Sequence, residues 1–321
     1  MLVICPAAPG SRAGNRTTAV RWAAMLRALG NRVRIHGQYQ GEPCEMLLVL
    51  HAHKSAASVA RFAQQRPHRP IVVAMTGTDL YRDLPGSEAA QGALELATRI
   101  VTLQPLALRR IPEIHHAKVR VIYQSAVPTT RTGLPFSRHF DIAVPGHLRE
   151  EKAPFLSAAA ARLLPDASNV RILQMGRALT PEYEARARRE EIENRRYRWL
   201  GELSRRDSRR IVAASRAVAL TSIMEGGANV ISEALVDGVP VIASRIDGSV
   251  GLLGADYPAL FPADDTQSLA NLFSRIELDD RFRAALQERS MALKPLFQPM
   301  RELQSWEQLL AELRQSEPCQ S

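Results

Sequence analysis

Two carboxylates bracket the start of a helix in the segment SIMEGGANVISEAL (222–235), with seven residues between Glu225 and Glu233. Ser222, Glu225, Gly226 and Gly227 fall on the turn after the apolar run 217–221, and Glu233 falls about one turn into the amphipathic helix. Glycines at such a turn let a ligand approach the backbone. The amides of Ala228, Asn229 and Val230 stand at a helix start, where they point at an anion held above it. A loop carboxylate can hold sugar hydroxyls, and one inside the helix can hold a ribose. His147, Arg149 and Lys152 cluster in VPGHLREEK (144–152), where another strand meets its helix, and Arg and Lys there suit phosphate.

More polar residues follow strands in the first half. They are Arg12, Gly14, Asn15 and Arg16 after the first strand, His51, His53 and Lys54 after a later one, and Thr76, Gly77, Thr78, Asp79 and Arg82 after the next. The two histidines suggest a metal, but no Cys, His or carboxylate is spaced to complete a site, so they read as polar lining. No Asp-x-Asp occurs. Helix amides and basic side chains would then offset the charge of a bound phosphate, and no metal or other cofactor is expected.

The elements that carry these residues alternate. Apolar runs at 2–5, 33–36, 46–50, 70–75, 99–103 and 118–122 read as strands, with helices at 17–29 and 55–64. In the first helix Val20, Ala23, Ala24, Met25, Leu26 and Leu29 give the apolar spacing. After a Pro, Thr and Gly-rich segment (127–135) a second series begins. Strands are expected at 140–144, 170–174, 197–199, 217–221 and 239–243, helices at 151–163, 181–195, 204–215 and 229–237, and a turn at 247–249. Continuous apolar strands alternating with helices imply parallel sheets covered on both faces. The expected class is α/β, with two doubly wound Rossmann-like domains facing across a cleft. Residues 1–133 are expected to form the first domain and 134–296 the second. Residues 297–321 hold a helix that packs back on the first. Ligands in such folds bind at the carboxyl ends of the strands.

Composition narrows the class. The chain has 321 residues, 45% hydrophobic and 23% charged, so disorder is excluded as the main state. No apolar run approaches the length of a membrane span, and the start lacks the basic region of a signal peptide. Cys5, Cys44 and Cys319 are too few and too scattered for a disulfide framework or a zinc site, so a cytoplasmic protein is expected. The net charge is +9, and only four of the 42 basic residues are Lys. That balance fits nucleic acid or phosphate. With 5% aromatic residues and no stacking motif, no nucleic-acid partner is expected. The charged segment 182–198 lacks a bulky apolar face, so no stable membrane association is expected either.

Together the motifs resemble the nucleotide-sugar half of the GT-B glycosyltransferases, in the large retaining family with a Glu-x7-Glu pair at a helix start. The resemblance implies that Glu225 contacts the donor sugar, Glu233 the ribose and Lys152 the diphosphate. The family Arg position is His147 here, which leaves Arg149 as its substitute. Gly14 and Asn15 match the glycine loop beneath the donor phosphates. Thr76–Asp79 resembles the family's His-Gly-Thr-Asp acceptor loop with Thr76 in the His place.

The stretches TGTDLYRDL (76–84), GHLREEKAP (146–154), SIMEGGANVISEAL and SRIDGSVGLLGADYP (244–258) are similar to one subgroup, the selenosugar synthases of selenoneine biosynthesis. That resemblance implies a UDP-sugar donor, UDP-N-acetylglucosamine or UDP-glucose, and selenophosphate as acceptor. It also implies two functional neighbours, a selenophosphate synthetase and a downstream selenoneine enzyme. An anionic selenium nucleophile needs positive charge and hydrogen-bond donors, not a base. Arg12, Arg16, Lys54, Thr76, Thr78, Asp79 and Arg82 are the acceptor-side candidates. The alternative is a conventional member of the fold making an O-glycoside on a lipid or polysaccharide.

Overall fold

The apolar runs form strands whose residues are mostly buried on both faces, as parallel sheets require. In chain order the first unit contains β1 (Leu2–Ile4), α1 (Gly14–Ala28), β2 (Arg34–His36), β3 (Leu47–Leu50), α2 (Ala52–Gln65), β4 (Ile71–Met75), α3 (Glu88–Leu96), β5 (Arg99–Thr102) and β6 (Val119–Val121). The second contains β7 (Phe140–Pro145), α4 (Leu156–Arg162), β8 (Val170–Met175), α5 (Pro181–Glu193), β9 (Tyr197–Trp199), α6 (Arg205–Ala214) and β10 (Ala217–Leu220). It continues through α7 (Asn229–Val236), β11 (Val241–Ser244), α8 (Asp247–Leu253), β12 (Leu260–Phe261), α9 (Thr266–Leu278) and α10 (Asp280–Leu293). The last helix, α11 (Pro299–Gln315), returns to the first unit.

This computed structural model describes residues 1–11, 14–129 and 138–315. Its two units are Met1–Gln124 with Pro299–Ser321, and Ser125–Gln298. The sequence reading drew its boundaries at 133/134 and 296/297. Arg12, Cys319 and most of the segment 127–136 lie outside the described residues.

Among the described residues both sheets have six strands, all paired in parallel. The order is β2-β1-β3-β4-β5-β6 in the first and β12-β11-β10-β7-β8-β9 in the second. In the second sheet the chain runs outward from β7 to β9, then returns to lay β10 on the other side of β7. The loops leaving β7 and β10 therefore part at that point and open a crevice at the strands' carboxyl ends. The same reversal in the first sheet falls between β1 and β3.

Side chains alternate across the first sheet. Leu2, Ile4, Leu47 and Val49 join one core cluster with Phe62 and Tyr39, and Val3, Cys5, Leu48 and Leu50 join another with Trp22 and Trp306. In the second cluster the Trp22 and Trp306 rings meet edge to face, 4.9 Å apart. Buried Glu302 of α11 accepts a hydrogen bond from Trp22 Nε1 at 2.6 Å.

Three sequence expectations are corrected. The buried face of α1 is Thr18, Ala19, Trp22, Ala23 and Leu26, while Val20 and Ala24 face outward, because Trp22 is the residue that meets α11. No continuous helix spans 151–163. Ala153 is left-handed (φ 40°), since the following Pro154 disfavours the helical region, and Glu150–Lys152 forms a short 3-10 turn before α4. Residues 247–249 are the first turn of α8, not a loop.

Candidate functional site

The crevice between the loops after β7 and β10 gathers the second unit's candidate residues. Lys152 Nζ donates to Glu225 Oε1, and Ser222 Oγ donates to the same oxygen at 2.9 Å. Glu225 and Lys152 keep 14% and 22% of their side-chain exposure, so the pair is largely desolvated yet open on one side. The Lys152 stem lies over Gly146, where an added Cβ would stand 3.4 Å from Lys152 Cδ.

The backbone around this pair is cross-tied. Buried Thr221 donates through Oγ1 to the carbonyls of Lys152 (2.8 Å) and Ala153 (3.1 Å), and Ile223 N donates to Glu151 O at 3.0 Å. The turn that ends in Lys152 is thus clamped to the end of β10. Ser244, at the end of β11, donates to Ser222 O. Two glycines are fixed by close approach. A Cβ on Gly248, in the first turn of α8, would overlap the Glu225 carbonyl. A Cβ on Gly176 (φ 134°) would overlap the Gly146 carbonyl.

The start of α7 has no side-chain cap, because its cap position is Ala228. An uncapped helix start offers amides and positive dipole to an anion. Gly226, Gly227 and Ala228 are buried, and Asn229 and Val230 are half-buried. Glu233 lies one turn on, beside Arg205 (3.3 Å) and Arg209 (3.9 Å) of α6.

Two neighbours differ in charge. His147 Nδ1 accepts from Arg177 N at 3.1 Å, which places the ring proton on Nε2. Burial lowers the His147 pKa, against the pull of Glu202, so the ring is a neutral donor. Positive charge at this loop comes from Lys152 and from Arg149, which lies 3.7 Å from Glu151.

In the first unit Gly14 opens α1, with Asn15 and Arg16 in its first turn. Arg16 reaches the Cys5 thiol, whose pKa burial raises against that arginine. Buried Asp79 accepts from the amides of Thr76 (2.9 Å), Gly77 (2.8 Å) and Ala52 (3.1 Å). Its carboxylate therefore holds the loop after β4 to the start of α2. Arg82 donates to Asp83 at 3.1 Å, Lys54 is exposed in the first turn of α2, and Thr78 Oγ1 lies 3.1 Å from His51 Nε2.

Residues 131–292, about half of the chain, match the family model of the glycosyl transferases group 1. The chain belongs to that family. The match covers Lys152, Glu225 and Glu233. Among solved structures, HepE of Anabaena in complex with UDP and glucose is similar at 17% identity and TM-score 0.74, over 97% of this chain and 100% of that one. Sucrose-phosphate synthase of Thermosynechococcus elongatus is similar at 16% identity and TM-score 0.77, over 98% of each. A glycosyltransferase of Rickettsia africae gives 14% and 0.74, also over 98% of each. These likenesses show the GT-B fold. Among curated proteins none matches the chain.

In this group 1 glycosyltransferase the structure brings together Glu225, Lys152 and Ser222, with Gly226–Val230 leading into α7. Sequence reasoning missed Gly176, Thr221, Ser244 and Gly248, which hold that cluster in place. It also passed over His51 as mere lining, although the residue is 2% exposed and has a left-handed backbone (φ 72°). Among the described residues no group of three or more His, Cys, Asp or Glu side chains is gathered as a metal site needs. No described helix is long and apolar enough to cross a membrane.

Proposed function

We propose that this glycosyltransferase takes a UDP-sugar, UDP-N-acetylglucosamine or UDP-glucose, and transfers the sugar to the selenium of selenophosphate in the cytoplasm. On the donor side the reading is supported by the Lys152–Glu225–Ser222 cluster before the uncapped start of α7. It is also supported by the likeness to HepE, a protein solved with UDP-glucose. Glu225 would hold sugar hydroxyls and Glu233 the ribose. Lys152, Arg149 and the α7 amides would take the charge of the departing diphosphate, and His147 would donate through Nε2.

The observation that supports the acceptor assignment is the residue in the family His place of the acceptor loop. Thr76 stands in the position of the family His, and Asp79 is occupied by three amides. A neutral alcohol benefits from a general base, whereas selenophosphate is already a nucleophilic anion. Selenium attacks the anomeric carbon, the bond from that carbon to the diphosphate oxygen breaks, and its electron pair leaves with UDP. Water then cleaves the selenium–phosphorus bond, releasing phosphate and the 1-selenosugar. Arg12, Arg16, Lys54 and Arg82 are the cations proposed for the phosphate oxygens.

Anaerobic incubation of the protein with UDP-sugar and selenophosphate, read by mass spectrometry, tests this. The expected products are UDP and a 1-selenosugar, formed equally well with EDTA present. Transfer to an alcohol with no selenosugar would overturn it.

A further inference from the structure

His51 directly follows β3 beside the loop after β4, and its side chain is 3% exposed. Its Nδ1 accepts from Lys54 N at 3.4 Å, so the ring proton sits on Nε2. Nε2 lies 3.1 Å from Thr78 Oγ1, with Asp83 Oδ2 at 3.7 Å. Thr78 occupies the cap position of a π-helical turn, Asp79–Asp83, yet its side chain makes no cap bond. Among the described residues its hydroxyl has no other partner, and the residue is half-buried. Single π turns in proteins often mark functional sites, as does a left-handed backbone at a residue with a Cβ.

We propose that His51 is a positioning residue that fixes the polarity of Thr78: the neutral ring donates to Oγ1, so the hydroxyl's own proton is presented as a donor to an oxyanion of the acceptor. This rests on the anionic acceptor proposed above. A hydroxyl has one proton and two lone pairs. Once His51 fills a lone pair, the proton is left for the ligand. An imidazolium would put a second proton on Nδ1, against the Lys54 amide. Asp79 and Asp83 favour that charged form, Lys54 and His53 oppose it, and burial, the largest influence, holds the ring neutral.

Nitrogen-15 spectra of the full-length protein at neutral pH should show His51 with its proton on Nε2. A ring protonated on Nδ1, or on both nitrogens, overturns the inference. Inorganic phosphate, a stand-in for the acceptor's oxygens, should shift the Thr78 amide. Its affinity should fall at least fivefold in Thr78→Val and stay near wild type in Thr78→Ser. In turnover, Thr78→Val should raise the acceptor KM with little change in kcat. His51→Gln, which keeps a donor but cannot titrate, should keep that KM and lose the acid limb of its pH profile. Phosphate binding unchanged in Thr78→Val sinks the inference even if selenosugar forms. Absence of selenosugar, with the phosphate effects intact, sinks the acceptor assignment instead.

Discussion

Lys152 and Glu225 neutralise each other in a pocket that excludes most water, so each is held by the other. Removing one partner of a desolvated pair leaves a buried charge and costs about 3–5 kcal/mol when burial is complete, less here because both ends keep some exposure. Lys152→Met is therefore expected to lower kcat/KM for the UDP-sugar on the order of a hundredfold or more, the range seen when a group opposing developing charge is lost. Steady-state kinetics check it, and a fall in Tm with unchanged kcat/KM would make Lys152 purely structural. Gly248 gives a second test at the same scale. Gly248→Ala puts a methyl group into the Glu225 carbonyl, so both activity and Tm should drop, although Gly248 carries no reactive group. The two kinds of residue differ in how far the sequence reveals them. Glu225, Lys152 and Ser222 are chemically marked and sit after apolar runs. Gly176 and Gly248 are needed because two segments distant in sequence touch, and that leaves no local mark, so each reads as an ordinary turn.

Elements were legible wherever their pattern is local. Every strand run but β12 was found to within two or three residues at either end, because both faces are buried and the run is continuously apolar; β12 (Leu260–Phe261) was missed because two residues carry no pattern. Helix faces were less so. In α1 alanines occupy both sides, and the stripe drawn through Val20, Ala23, Ala24, Met25, Leu26 and Leu29 shares Ala23 and Leu26 with the true one but leaves out Ala19 and Trp22. What decides between them is Trp306, at the far end of the chain. The turn at 150–152 was misread because good helix formers outweighed one Ala-Pro step. Helix α11 is the clearest case of an element whose role is tertiary. Trp306, Leu309, Leu310 and Leu313 close the core over Trp22, and Glu302 accepts the hydrogen bond of the Trp22 indole. Trp306→Ala should cost about 3–5 kcal/mol, as large-to-small core changes do. A lowered urea midpoint for the first unit, at unchanged affinity of the second for the UDP proposed to bind there, is the expected result. A loss under 1 kcal/mol would mean that α11 is not part of that core.

At the scale of the whole molecule the net charge of +9 does not describe a single basic face. Many arginines are committed in pairs within each unit: Arg21 with Glu302, Arg99 and Arg120 with Glu312, Arg171 with Asp141, Arg209 with Asp237. Others stack on rings, Arg186 over Phe155 and Arg188 over Trp199. The response to acid is then set by groups that resist protonation. His51 and His115 in the first unit and His147 in the second all have pKa values below the ordinary 6.5, with burial the largest cause in each. The unfolded chain takes up these protons at a higher pH than the folded one. Stability therefore rises with pH across the interval below 6.5, and falls as pH drops from there toward the folded values. The paired carboxylates Glu190 and Glu312 are lowered from 4.5, so their contribution is lost only in a more acidic window. Tm should thus decline already between about pH 6.5 and 5, where carboxylates stay ionised, and decline again below about 4.5. Calorimetry across that range checks it. A Tm flat from pH 7 to 5 would mean that the three rings titrate normally. His147→Gln, which cannot take up a proton, should remove part of the first decline and leave the second in place.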